Sequence, residues 1–151
     1  LANGGNLLAP KLVRSDVDQT SARTALGRAS DEVSSEARIE FSPQARAAVE
    51  EGLRRSVNDP IGTAYESARV TWATLAGKTG TAETGSGSDH SWFAGYLPAE
   101  SPRFVVVIAI EHGGSSAVAA ALARNVLQHM RELGYFPGEE IAQKPLPDGK
   151  G

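Results

Sequence analysis

Lys78, Thr79, Gly80 and Thr81 are the residues whose types and spacing could do chemistry. They lie within Ala76-Gly77-Lys78-Thr79-Gly80-Thr81-Ala82-Glu83. On a strand, such a segment can hold an anion. The ammonium attracts a carboxylate, the hydroxyls hydrogen-bond to it, and the glycine lets a ligand lie close to the backbone. Off a strand, the same residues make an ordinary polar turn. The elements around the stretch decide between the two.

Other chemistries fit less well. Gly77-Lys78-Thr79 suggests a phosphate loop, but that motif needs glycine where Trp72 stands, and a helix opening at the lysine, which Gly80 and the following loop oppose. Gly85 and Gly87 lack the third glycine of a dinucleotide fingerprint. There is no Gly-x-Ser-x-Gly elbow. His90, His112 and His129 have no metal-ligand spacing, and no serine is visibly paired with the first two, so all three read as structural or solvated. Glu111 closes an apolar run and reads as a solvated or paired carboxylate. With no cysteine, disulfides, thiol nucleophiles and thiolate metal sites are excluded. No cofactor and no metal are expected.

The chain has 151 residues, the size of one domain, with 40% hydrophobic residues and a net charge of −3. That balance, without clustered Lys and Arg, argues against a nucleic-acid partner. The longest apolar runs are seven residues, too short to span a membrane as a helix. The amino terminus lacks a signal-peptide pattern. Asn3-Gly4-Gly5 reads as a helix end before a strand, so the chain is expected to be cut from something larger.

Residues 14–40 are polar and read as an exposed hairpin or irregular loop. Ser42 and Pro43 open an amphipathic helix of about four turns, with Ala45, Val49, Leu53 and Val57 on its apolar face. Asn58-Asp59-Pro60 stops it. The run from Ala68 to Leu75 alternates and reads as a strand leading into the Lys-Thr-Gly-Thr segment. Residues 84–91 form a Gly/Ser-rich loop. Residues 92–97 read as a strand that Pro98 ends. Phe104 to Ile110 is apolar throughout and suits a central strand buried on both faces. Ser115 to Leu133 reads as a helix with an apolar stripe of Val118, Leu122, Val126, Met130 and Leu133 that small alanines widen, and Gly134 as its terminator. From Tyr135 to Gly151 the chain is rich in proline and reads as a disordered tail. The order of elements predicts an α+β fold, an antiparallel β-sheet packed by helices.

With these elements in place, a resemblance emerges. AGKTGTAE, a loop, HSWFAGYLP, SPRFVVVIAIEHGG and an alanine-rich helix together resemble the carboxy-terminal part of the transpeptidase domain of a class B penicillin-binding protein. LANGGNLLAPKLV resembles that family's helix end and following strand, and Asp59-Pro60-Ile61-Gly62-Thr63-Ala64 its Gly-Thr-Ala loop. The resemblance covers residues 1–134 and is weakest over 14–40. It implies the carboxy-terminal part of a β-lactamase/transpeptidase-like fold.

It also implies roles. In that family a serine attacks the penultimate D-Ala carbonyl of a peptidoglycan stem peptide, and β-lactams occupy the same site. By this resemblance Lys78 supplies positive charge. Thr79 and Thr81 are candidate partners of the substrate carboxylate, Thr81 the more direct, and the Thr81 N–H is one oxyanion donor. Gly80 permits close approach, and Ala82 and Glu83 line the groove. The implied location is extracytoplasmic, in a membrane-anchored parent protein.

The family's nucleophile sits in a Ser-x-x-Lys box. Leu8, Leu75, Ile141 and Pro147 stand three residues before the four lysines, so no such box is present. Ser56-Val57-Asn58 matches the family's Ser-x-Asn box literally, but at a helix end and out of order, and reads as coincidence. The chain alone is therefore expected to be inactive in acyl transfer. Its partners would be the missing amino-terminal half of the domain, or a second copy covering exposed apolar surface. The alternative reading is a non-catalytic β-lactam-sensing or binding module of the same fold. A Ser-x-x-Lys box roughly 150 to 200 residues upstream, with a membrane anchor, would favour the enzyme. A β-lactamase fits the 92–97 strand and the 14–40 stretch less well.

Overall fold

A computed structural model of the chain describes residues 1–7, 39–85 and 87–136. Contacts divide the chain into two units, Leu1 with Asn3–Phe41, and Ala2 with Ser42–Gly151. In the first unit the Asn-Gly-Gly sequence makes a turn. Gly4 and Gly5 have φ of 77° and 95°, and the Asn3 and Asn6 side chains each donate to the other's carbonyl. A Cβ on Gly5 would overlap the Ile39 carbonyl oxygen, and the Ile39 N–H donates to the Gly5 carbonyl at 2.9 Å. The strand expected after this turn and most of the polar stretch lie outside the described residues.

The second unit holds the sheet. Helix α1 is Pro43–Asn58. Its start is as the sequence predicts: the Ser42 Oγ accepts from the Ala45 N–H at 3.1 Å, and Pro43 takes the first position, where no N–H is needed. Only Val57 of the expected apolar face is buried, and Val49 is 48% exposed. The helix therefore packs through its last turn, where Asn58 Nδ2 donates to the Arg54 and Leu75 carbonyls. A short helix α2, Tyr65–Ala68, follows.

The alternating run before Lys78 is not a strand. Residues 69–75 are irregular, and Val70, Trp72, Ala73, Thr74 and Leu75 are buried together rather than alternately. The reason is the facing segment. Pro98 would stand opposite Thr74 and has no N–H to give, so the regular ladder stops there, and the Ala99 N–H donates to the Thr74 carbonyl instead. Side-chain packing, not pairing, fixes this run.

Strand β1 (Ala76–Ala82), strand β2 (His90–Leu97) and strand β3 (Phe104–Ile110) form an antiparallel meander in the order β1-β2-β3. Among the described residues β3 is thus an end strand, and β2 the central one. The register aligns Lys78, Ala94 and Val107 on one face, and Thr79, Phe93 and Ile108 on the other. Val106 is buried on the second face, while Val105 and Val107 on the first are 66% and 58% exposed. The expectation of a β3 buried on both faces is corrected accordingly. An unbroken apolar run cannot reveal that only alternate residues are covered.

Helix α3, Ser116–Glu132, covers the Thr79–Phe93–Ile108 face. Ser115 caps its start, and its terminator, Gly134 at φ 81°, matches the sequence reading. The buried face does not. Ala119, Ala120, Ala123 and Leu127 are buried, with Met130 packed against the core, whereas Val118, Leu122, Val126 and Leu133 are exposed. Small side chains let the helix axis come close to the sheet, so the alanine face wins over the bulkier one.

One hydroxyl ties the two together. Ser91 is fully buried, donates to the Ser115 carbonyl at 2.8 Å and accepts from the Ala119 N–H at 3.0 Å. After α3, Tyr135 is exposed but Phe136 is buried, its ring 4.8 Å from Trp72 and 4.7 Å from Phe104. The chain is therefore ordered past Gly134. Residues 137–151 lie outside the described residues.

Candidate functional site

The Lys-Thr-Gly-Thr segment lies within β1, so the strand reading holds and the turn reading fails. Among the described residues β1 is an end strand, with one edge left without a ladder partner. Such an edge presents backbone donors and acceptors in a row.

Lys78 is exposed and its side chain folds along the strand. Its Nζ donates to the Thr79 carbonyl at 2.7 Å and to Thr79 Oγ1 at 3.4 Å. Thr79 is buried, and its Oγ1 is 3.3 Å from Thr63 Oγ1. Thr63 Oγ1 in turn is 3.2 Å from Ser56 Oγ. An ammonium and three hydroxyls thus form one hydrogen-bonded chain from β1 to the end of α1.

Thr81 is exposed and stands opposite Ser91, the residue that fixes α3. Gly80 stands opposite Trp92, and a Cβ on it would lie 3.3 Å from the Trp92 Cβ. Ala82 ends the strand opposite His90, and Glu83 is exposed just beyond. The structure thus places Lys78, Thr79, Gly80, Thr81, Ala82 and Glu83 along one segment.

Sequence reasoning missed Thr63. Its only signal was the Gly62-Thr63-Ala64 stretch. The structure shows why that loop is narrow in its choices. A Cβ on Gly62 would overlap the carbonyl oxygens of Arg55 and Ser56. The Gly62 N–H donates to the Asp59 carbonyl at 2.8 Å, and the Ala64 N–H to the Ser56 carbonyl at 2.9 Å. The loop is laid against the last turn of α1, with Thr63 directed to β1.

The Ser56-Val57-Asn58 match lies at the end of α1. Ser56 meets Thr63 rather than Lys78, Val57 is core, and Asn58 ties down backbone carbonyls.

Two histidines meet at the Ala82 end of the sheet, although far apart in sequence. The His112 backbone N–H donates to His90 Nδ1 at 2.9 Å, and His112 Nδ1 lies 2.9 Å from the Ser88 carbonyl oxygen. Their rings are 5.0 Å apart. Both make backbone contacts, in keeping with a structural reading, and His129 pairs with Glu132 on the surface. Among the described residues no group of three or more His, Cys, Asp or Glu could hold a metal ion.

Among the described residues three titrations are displaced on or beside α1, the Arg55 guanidinium being raised by its hydrogen bond to Glu51. The hydrogen bond from Arg55, with help from Arg54 and against partial burial, holds the Glu51 carboxyl below its usual range. Burial first, and the Glu50 carboxylate second, push the Tyr96 phenol up.

Residues 1–128 match the model of the penicillin binding protein transpeptidase domain. The chain is 33% identical over 98 residues to the peptidoglycan D,D-transpeptidase MrdA of Haemophilus influenzae, covering 54% of this chain and 15% of that protein. It is 28% identical over 140 residues to the peptidoglycan D,D-transpeptidase PbpA of Mycobacterium tuberculosis, covering 85% and 26%. The structure of penicillin-binding protein A from M. tuberculosis, an imipenem acyl-enzyme complex, aligns with TM-score 0.51 and 29% identity over 62% of this chain and 20% of that one. The chain therefore spans about a quarter or less of the length of these relatives. Among the described residues no helix is long and apolar enough to cross a membrane.

Proposed function

The chain belongs to the penicillin-binding protein transpeptidase family, and from that membership we propose that residues 1–134 are the carboxy-terminal part of a class B peptidoglycan D,D-transpeptidase domain. The observation that carries the reading is the exposed Lys78 on an end strand, three residues before the exposed Thr81.

The reaction has two halves. A serine Oγ attacks the penultimate D-Ala carbonyl of a stem peptide, the bond to the terminal D-Ala breaks, and the serine proton leaves with the new amine. An amine of a second stem peptide then attacks the ester and frees the serine. This chain has no Ser-x-x-Lys, so the nucleophile comes from outside it. Its own part is binding. Lys78 neutralises the terminal carboxylate, Thr81 donates to it, Thr79 holds the Lys78 ammonium, and Gly80 keeps the floor of the groove low, with Ala82 and Glu83 further along. The Thr81 N–H meets the developing oxyanion, a contact worth about 3 kcal/mol of barrier. β-Lactams, which carry a matching carboxylate, would take the same place.

The whole protein would act outside the cytoplasm, anchored in the membrane. The exposed Val105, Val107, Val118, Leu122 and Val126 suit contact with the rest of the domain or, for the chain alone, with a second copy. A strictly monomeric chain by light scattering at high concentration would count against that contact.

The test is titration of the isotope-labelled chain with acetyl-Lys-D-Ala-D-Ala. The amides of Lys78 to Thr81 are expected to shift, and Lys78→Ala to abolish the response. Unmoved β1 amides would refute the carboxylate site. A fluorescent penicillin is expected not to label the chain, and stoichiometric labelling at a serine would refute an external nucleophile.

A further inference from the structure

We propose that Thr63 is a positioning residue of the carboxylate site, acting through Thr79 to hold the Lys78 ammonium. The inference rests on the carboxylate-binding reading of β1 and adds a residue outside the strand.

The polarity of the hydroxyl chain is set at the Lys78 end. An ammonium only donates. Thr79 Oγ1 must therefore accept from Lys78 Nζ at 3.4 Å, beside the firmer bond to the Thr79 carbonyl at 2.7 Å. Thr79 has one hydroxyl proton, and Thr63 Oγ1 stands 3.3 Å away to take it. Thr63 can pass its own proton to Ser56 Oγ at 3.2 Å. Each link directs the lone pair of the one before, so the chain aims the Thr79 oxygen at Lys78.

With two of its three N–H groups held, Lys78 keeps one for a ligand. An ammonium held in place loses less freedom on binding than a free one. Thr79 is buried, so its hydroxyl has few alternatives once Thr63 is gone.

The Thr63 hydroxyl is not needed to hold its own loop. The backbone does that, through Gly62 N–H to Asp59, Ala64 N–H to Ser56 and Tyr65 N–H to Gly62. A side chain that is spare for the loop yet reaches across to β1 fits a role at the strand.

The experiment compares Thr63→Val, which keeps the shape and removes the hydroxyl, with Thr63→Ser, which restores it. Two readouts are taken on the full chain: the Thr79 χ1 couplings and the affinity for acetyl-Lys-D-Ala-D-Ala, both by NMR. Thr63→Val is expected to average the Thr79 rotamer and weaken the probe about tenfold, and Thr63→Ser to return both to within about twofold. Unchanged couplings in Thr63→Val overturn the proposal. Averaged couplings without any loss of affinity overturn it too. If the unaltered chain does not bind the probe, the carboxylate reading falls, and the Thr79 couplings still decide whether Thr63 orders that side chain. Should Thr63→Val lose its dispersed amide spectrum, Ser56→Ala serves instead. A weaker effect in the same direction is then expected, and none at all overturns the proposal.

Discussion

Replacing Ser91 by alanine removes a side-chain hydroxyl that joins β2 to the first turn of α3. Ser91 is fully buried, and so is Ala119, whose N–H it receives at 3.0 Å. Without the hydroxyl that N–H is left in the core, at a cost of about 1–3 kcal/mol. The bond donated to the Ser115 carbonyl at 2.8 Å is also lost. That carbonyl still accepts from the Val118 N–H at 3.0 Å, so it adds only the net value of one bond, about 1 kcal/mol. The sum is about 2–4 kcal/mol, roughly a 30- to 900-fold change in the ratio of folded to unfolded chain. For a chain of this length the melting temperature should fall by roughly 4–16 °C. Equilibrium urea unfolding followed by far-ultraviolet circular dichroism measures the loss, with the slope unchanged if the transition stays two-state. A loss under about 0.5 kcal/mol would refute the claim that this hydroxyl anchors the helix.

Three further outcomes are expected. Gly62→Ala would press a methyl against the backbone of Arg55 and Ser56, which cannot rotate away, and should cost about 1–3 kcal/mol in the same unfolding assay. Ala123→Leu should cost a similar amount by forcing α3 off the sheet, while Leu122→Gln, on the exposed side, should change stability by about 0.5 kcal/mol or less; the reverse ranking would restore the stripe read from sequence. The Tyr96 phenol is raised by burial and by Glu50, so the folded chain keeps that proton to higher pH than the unfolded one. Its contribution is complete below the ordinary tyrosine range and is lost as pH rises through that range toward the folded value. Tyrosinate absorbance should show one of the three tyrosines ionising after the others, and Tyr96→Phe should remove that late step.

Local chemistry was legible wherever a residue acts on its own backbone. Ser42, Pro43 and Gly134 marked helix ends correctly, and the bounds of β3 were read to the residue. What failed depended on the facing element. The run from Ala68 to Leu75 has a strand's alternation but meets Pro98 instead of a ladder partner. The stripe through Val118 and Leu122 is a sound amphipathic pattern, yet the sheet takes the alanines. Phe136 looked like part of a tail because nothing local reveals the Trp72 and Phe104 rings that receive it. The candidate site divides the same way. Lys78 to Thr81 are contiguous and could be read directly. Thr63 lies 16 residues from Thr79 and Ser91 lies 24 from Ser115, so their partners exist only once the chain has folded.

The two tryptophans have been placed in opposite surroundings. Trp72 is packed between the Phe136 ring and the Arg131 guanidinium, and is 7% exposed. Trp92 is 43% exposed and stands opposite Gly80. The chain thus carries two optical reporters that a soluble quencher can separate. Acrylamide should extinguish the Trp92 emission first and leave a bluer signal from Trp72. A ligand laid across Gly80 should shield Trp92 alone, so the protein can report occupancy of its own binding strand against an internal reference.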